Sequence, residues 1–166
     1  MNHKKSIIIY FSRADENYAV GYIDKGNTEI VAEYIHELTG AEMFKVERKV
    51  PYAKDYMTCI KEAQIEQQRG ERPALVKELA SIDDYEVVYV GGPIYWGTLP
   101  QPMFTQLEKL NWSGKTVKPF TTHEGSGLAN VVWDLQKICK GAKVENGLAI
   151  RGSQAKNSKN LIKNWL

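Results

Sequence analysis

Cysteine is scarce in this chain. It occurs twice, at Cys59 and Cys139, which is too little for a disulfide scaffold or a four-thiolate metal site. Histidine occurs three times, and no His or Cys pair has metal-ligand spacing. An excess of one charge is also lacking. Lys and Arg number 22 and Asp and Glu 20, so the formal charge of +2 makes no case for nucleic acid. Long apolar runs are missing as well. The stretch Ile7 to Phe11 has five residues, short of the ~20 of a membrane span and the ~7–15 of a secretory leader. No small-residue cleavage site follows it, so it reads as a buried strand. The expectation is a cytoplasmic protein with reduced thiols and no membrane partner. No repeat, low-complexity tract or linker interrupts the chain.

What remains is an ordinary globular composition. The chain has 166 residues, 43% apolar and 25% charged. That predicts one domain over residues 1–166, with a core large enough to need no covalent staple. The charge is uneven along it. Residues 1–100 carry 12 basic and 16 acidic groups, net −4, and residues 101–166 carry 10 and 4, net +6.

Apolar runs of strand length alternate with segments of helical period. Strands are predicted over Lys5–Phe11, Glu42–Glu47, Glu86–Gly91, Thr116–Thr122 and Lys143–Ile150. Ile7, Ile8 and Ile9, and later Val87 to Val90, are continuous, as a strand buried on both faces requires. Helices are predicted over Thr28–Thr39, Lys54–Arg69, Ala74–Ala80, Gln101–Leu110, Ser126–Lys140 and Lys156–Trp165. The stripe Leu128, Val131, Val132, Leu135, Ile138 and Cys139 is the clearest. Strand and helix in alternation imply an open parallel α/β sheet with helices on both faces. In such sheets a ligand sits outside the carboxyl ends of the strands.

Three loops fall at that edge. The first carries Ser12 and then Gly26-Asn27-Thr28, which opens a helix. Hydroxyls, an amide and free N–H groups at a helix start suit an anion such as phosphate, although Asn27 or Thr28 also reads as a plain N-cap. The second loop is Gly91 to Pro100, with Tyr95 and Trp96 between glycines and prolines. Flat rings there suit stacking on a planar ligand, or else they fold back on the core. The third is Thr121-Thr122-His123-Glu124-Gly125-Ser126-Gly127, rich in donors and flexible backbone. His3 and His36 have no such setting and read as solvated. Together the loops describe a pocket for a molecule with a phosphate at one end and an aromatic plane at the other, which fits FMN.

The sequence here resembles the flavodoxin family, in its short-chain branch. The resemblance rests on Tyr10-Phe11-Ser12-Arg13 with Gly26-Asn27-Thr28-Glu29, on Gly92-Pro93-Ile94-Tyr95-Trp96-Gly97-Thr98, and on Pro119 to Gly127. It implies a flavodoxin-like three-layer sandwich, with a five-stranded parallel sheet in order 2-1-3-4-5, and one non-covalent FMN. Ser12, Asn27 and Thr28 would hold the phosphate, with Gly26 allowing close approach and Arg13 as an added contact. Pro93, Ile94, Tyr95, Trp96 and Gly97 would line the ring. Thr121, Thr122, His123, Gly125, Ser126 and Gly127 would face its pyrimidine edge, with His123 a candidate catalytic proton donor. The chain departs from the family in an insert, Arg13–Lys25, where Lys25 and the pair Tyr18 and Tyr22 are further candidate contacts beside the flavin or its sugar. It also departs in lacking an aromatic in the third loop and a strongly acidic balance.

Two activities follow from the resemblance. One is an FMN-dependent oxidoreductase, taking electrons from NAD(P)H or a protein and passing them to a small acceptor such as a quinone. The other is a non-enzymatic electron carrier between protein partners. The donor and acceptor are not named by the sequence. The buried helix faces make Cys59 and Cys139 structural thiols rather than redox groups.

Overall fold

In the computed structural model, which describes residues 5–17 and 19–166, the chain folds around strand β1 (Ser6–Tyr10). Ile7 and Ile9 enter the core on one face of the sheet and Ile8 and Tyr10 that on the other, so the run of isoleucines is buried throughout. β1 is followed by a small antiparallel hairpin, β2 (Asp15–Asn17) and β3 (Gly21–Ile23). Helix α1 (Asn27–Thr39) comes next, and Gly40 stops it in a left-handed conformation, φ 75°, with its N–H on the His36 carbonyl. Then come β4 (Glu42–Lys45), α2 (Tyr56–Gln68), β5 (Val87–Pro93), α3 (Gln101–Leu107), β6 (Thr116–His123) and α4 (Val131–Ile138). The chain closes with β7 (Lys143–Val144), β8 (Leu148–Arg151), a 3-10 helix (Gly152–Asn157) and α5 (Lys159–Trp165).

The main sheet runs β4-β1-β5-β6, with β7 and β8 both paired to the far side of β6, and every pairing is parallel. This is the expected order with one difference. The fifth position is two short strands, so the sheet has six. The break falls at Glu145-Asn146-Gly147, where Asn-Gly favours a turn over a ladder. The core on one face includes Val88, Val90, Met103, Leu107 and Leu135, under α2, α3 and α4. The core on the other includes Val31, Ile35, Phe120, Ile150 and Ile162, under α1 and α5. The three-layer α/β sandwich is therefore as expected.

Three elements differ from the sequence reading. Residues 74–80 form no helix. Leu75 bridges Arg48, and the Val76 N–H and Ala74 carbonyl bond Glu47 and Lys49. The buried Gln106 side chain takes the Leu79 N–H at 2.7 Å and donates to its carbonyl at 2.9 Å. Neighbours thus satisfy the backbone groups a helix would have paired internally. α4 starts at Val131, not Ser126, because Gly127 and Ala129 stand at φ 63° and 43° and turn the chain before it. The closing helix is two, split before Lys159. The uneven charge is partly compensated within the fold. Lys109 pairs with Glu78 and Lys159 with Glu37, second-half cations on first-half carboxylates. No helix among the described residues is long and apolar enough to cross a membrane. His3 and Tyr18 lie outside the described residues.

Candidate functional site

The carboxyl ends of β1, β5 and β6 open on a pocket of about 310 Å3. Asn27 lines it from α1, Pro93 to Trp96 from the loop after β5, and Thr122, His123 and Ser126 from the loop after β6. Asn17 and Val20 of the hairpin region also reach it, so the insert borders the pocket.

The start of α1 is closely packed. A Cβ on Gly26 would lie 2.0 Å from Ser12 Oγ and 2.8 Å from the Arg13 carbonyl, so only glycine fits. Gly26 caps α1 without a side-chain bond, while Ser12 Oγ accepts the Glu29 N–H at 3.0 Å. The N–H groups of Asn27 and Thr28 are therefore not claimed by an N-cap side chain. The buried Thr28 hydroxyl bonds that of Thr122 at 2.8 Å and so joins the first loop to the third. Arg13 donates to the Lys54 carbonyl at 2.8 Å, and its charge acts on Cys59 and Tyr95 of the pocket lining. Lys25 pairs with Glu33 at 3.0 Å.

The loop after β5 is a tight turn. Tyr95 N–H bonds the Thr98 carbonyl at 2.7 Å, and the two central residues, Trp96 and Gly97, have φ 55° and 86°. Gly97 adopts that conformation freely, whereas Trp96 is strained by about 1 kcal/mol or more. Side chains tie the turn down on both sides. The Trp96 indole donates to the Ile60 carbonyl at 2.8 Å, and Gln67 Nε2 donates to the Trp96 carbonyl at 3.1 Å. Asn130 N–H bonds the Gly97 carbonyl at 2.9 Å, and the Thr98 hydroxyl donates to Asp134. Trp96 keeps 46% of its surface exposed at the pocket wall.

In the loop after β6, the Thr121 hydroxyl turns inward and donates to the Gly127 carbonyl at 2.9 Å. His123 Nδ1 accepts the Gly125 N–H at 2.9 Å, so the ring proton resides on Nε2. Burial and the Arg151 charge lower the His123 pKa below its ordinary value and favour this neutral form. Glu124 packs where a Cβ on Gly152 would lie 2.2 Å from its Oε1 and 2.6 Å from Asn27 Nδ2. Burial raises the Glu124 pKa, against the opposing pull of Arg151 and the Gly152 N–H. Of the sixteen residues expected at a cofactor, eight line the pocket: Asn27, Pro93, Ile94, Tyr95, Trp96, Thr122, His123 and Ser126. Ser12, Gly26, Thr28, Gly97 and Thr121 stand behind that wall as supports.

One wall was absent from the sequence reading. Tyr56, Cys59, Ile60 and Ala63 of α2 line the pocket, as do Glu124 and Gly152. The i, i+4, i+7 spacing of Tyr56, Ile60 and Ala63 marks a single helix face, but spacing does not say that a pocket lies under it. Beneath this wall Phe11, Tyr52 and Tyr95 meet edge to face at 5.9–6.1 Å. Tyr52 donates to the buried Glu66, which Arg48 pairs at 3.0 Å. The Tyr95 hydroxyl is buried beside the Cys59 thiol, and no stronger hydrogen-bond partner reaches it among the described residues. Burial raises the Cys59 pKa and pushes that of Cys139 up to about 12, so both buried thiols are poor nucleophiles.

Residues 17–166 match a family described as Flavodoxin. Two solved structures of proteins assigned as flavoproteins are each 25% identical to the chain. One, from Bacteroides uniformis ATCC 8492, aligns over 98% of this chain and 99% of its own with a TM-score of 0.76. The other, from Bacteroides eggerthii DSM 20697, aligns over 99% and 96% with a TM-score of 0.77. A flavoprotein from Lactobacillus acidophilus NCFM, solved in complex with FMN, is 20% identical, covers 93% and 98%, and shares the fold with a TM-score of 0.67. No curated protein matches. The family match spans nearly the whole chain, and the sheet, the three loops and the pocket agree with it: the chain belongs to the flavodoxin family.

Proposed function

We propose that this chain binds FMN non-covalently in the 310 Å3 pocket and passes electrons through it to a small acceptor such as a quinone. The reading is carried by the convergence of three loops on one pocket in a flavodoxin-family fold. The residues present fit the cofactor. The close packing of Gly26 on Ser12 gives a phosphate access to the first-turn N–H groups of α1, with Asn27 beside them. Pro93, Ile94, Tyr95 and Trp96 offer a largely apolar wall for a ring. The backbone from Thr122 to Gly127 offers donors for a polar ring edge.

When bound, FMN supplies electron transfer in one- and two-electron steps, and the protein supplies orientation and electrostatics. Thr28 and Thr122 fix the first loop against the third, so the phosphate and polar-edge contacts are set relative to each other. Trp96, tied to Ile60, shields one side of the pocket from water. His123 holds a proton at Nε2 as a neutral imidazole, a donor available to a group in the pocket. The α2 face of Tyr56, Ile60 and Ala63 gives an apolar surface for an acceptor ring. The test is steady-state reduction of a quinone by the FMN-loaded protein with NADH or NADPH. Catalytic turnover is expected. Absence of turnover with every small donor and acceptor tried would favour a carrier between proteins.

A further inference from the structure

A second cleft, of about 520 Å3, lies between β3 and the first two turns of α1. Asn27 lines both cavities, and the 3-10 helix borders both, with Gly152 on the first and Lys156 on the second. The cavities are thus neighbours across the start of α1, where the phosphate of a nucleotide in the first pocket belongs.

The second cleft combines aromatic surface with two lysines, Lys25 and Lys156, and two carboxylates, Asp24 and Glu33. Tyr22 stands 70% exposed on the hairpin. Tyr34 faces it from α1, its hydroxyl donating to the Lys156 carbonyl at 2.6 Å. Lys25 is neutralised by Glu33, both carboxylate oxygens lying at 3.0 Å. Lys156 forms no ion pair among the described residues and is the cation left for a ligand. Tyr22 and Tyr34 line one cleft, so a planar group entering it would meet two phenol rings. Flat rings beside a free ammonium match a ligand that carries a planar base and a phosphate.

We propose that this cleft binds the adenylate part of a nucleotide, with the base against Tyr22 and Tyr34 and a phosphate on Lys156. Its place in the redox reaction rests on the FMN reading of the first pocket. The adenylate has two sources. It is either the AMP half of FAD continuing from the first pocket, or the AMP half of a nicotinamide dinucleotide that donates electrons there.

The test is calorimetric titration of the FMN-loaded protein with 5′-AMP. One site is expected. Tyr22→Ala and Lys156→Glu should each weaken it about ten-fold, the scale of a lost base–aromatic stack, with FMN affinity and melting temperature held. AMP that does not bind, or that binds both variants as it binds the parent, overturns the proposal. FAD retained in place of FMN and sensitive to the same variants supports the first source. NADH that competes with AMP on the FMN-loaded protein supports the second. Should FMN itself fail to bind, the reading of the first pocket falls, while AMP titration of the FMN-free chain still decides the cleft.

Discussion

At the end of the pocket proposed for the phosphate the chain is packed against itself; at the end proposed for the ring it is strained and tied down. The first end has Gly26 against Ser12 and the buried Thr28–Thr122 pair, with no room for an added methyl group. The second has Trp96 at positive φ, nearly half exposed, held by bonds to Ile60 and from Gln67. A phosphate keeps one tetrahedral shape whatever the redox state of the ring it is joined to, so rigid backbone suits it. A ring that changes its hydrogen bonding with redox state is better met by a turn whose position is set by a few replaceable side-chain bonds.

That contrast ranks the expected effects. Gly26→Ala should cost most, since its Cβ would sit 2.0 Å from Ser12 Oγ. Overpacking of this kind costs about 1–3 kcal/mol, so FMN affinity by fluorescence titration should fall by up to about 100-fold. Thr122→Val comes next. It strands the Thr28 hydroxyl in the core, and an unpaired buried hydroxyl costs about 1–3 kcal/mol of stability, readable in urea melts. A variant as stable as the parent would mean the pair is not holding the two loops together.

At the ring end the losses should be smaller. Trp96→Phe keeps an aromatic ring in the wall but removes the indole donor to Ile60, worth about 1 kcal/mol, so FMN should bind about fivefold more weakly with the fold intact. Gln67→Leu should act in the same direction through the Trp96 carbonyl. If either variant matched Gly26→Ala in severity, the distinction between the two ends would fail.

The smallest effect is one of pH. The His123 pKa is lowered in the folded chain, so the unfolded chain takes up that proton first. The stability His123 contributes is complete above its ordinary value of 6.5 and declines as pH falls below it. Glu124 works lower in the scale. Its raised pKa makes the folded chain bind the extra proton, so stability falls as pH rises from its ordinary 4.5. Melting temperatures between pH 5 and 8 should therefore show a shallow acid limb that His123→Gln flattens and Glu124→Gln steepens.

Much of this architecture was legible in the sequence, because period and burial agree there. Ile7 to Ile9 and Val87 to Val90 could only be central strands, and the loops after them had to share an edge. The stretch 74–80 was not legible. Its backbone partners are Glu47, Lys49 and Gln106, residues distant in sequence, while the local composition of Ala74–Ala80 suits a helix. The α2 wall was hidden for a related reason. Tyr56, Ile60 and Ala63 look the same whether a helix face meets core or cavity. Hydroxyl roles were half legible: Thr28 and Thr121 lie in the right loops, but their bonds to Thr122 and Gly127 depend on tertiary approach.

The account rests on FMN in the first pocket, and gel filtration of the chain after mixing with excess FMN tests it most directly. The expected result is flavin absorbance travelling with the protein at one FMN per chain, with a peak shape altered from that of free FMN. A colourless protein peak, with all the FMN eluting at its own small-molecule position, would contradict it.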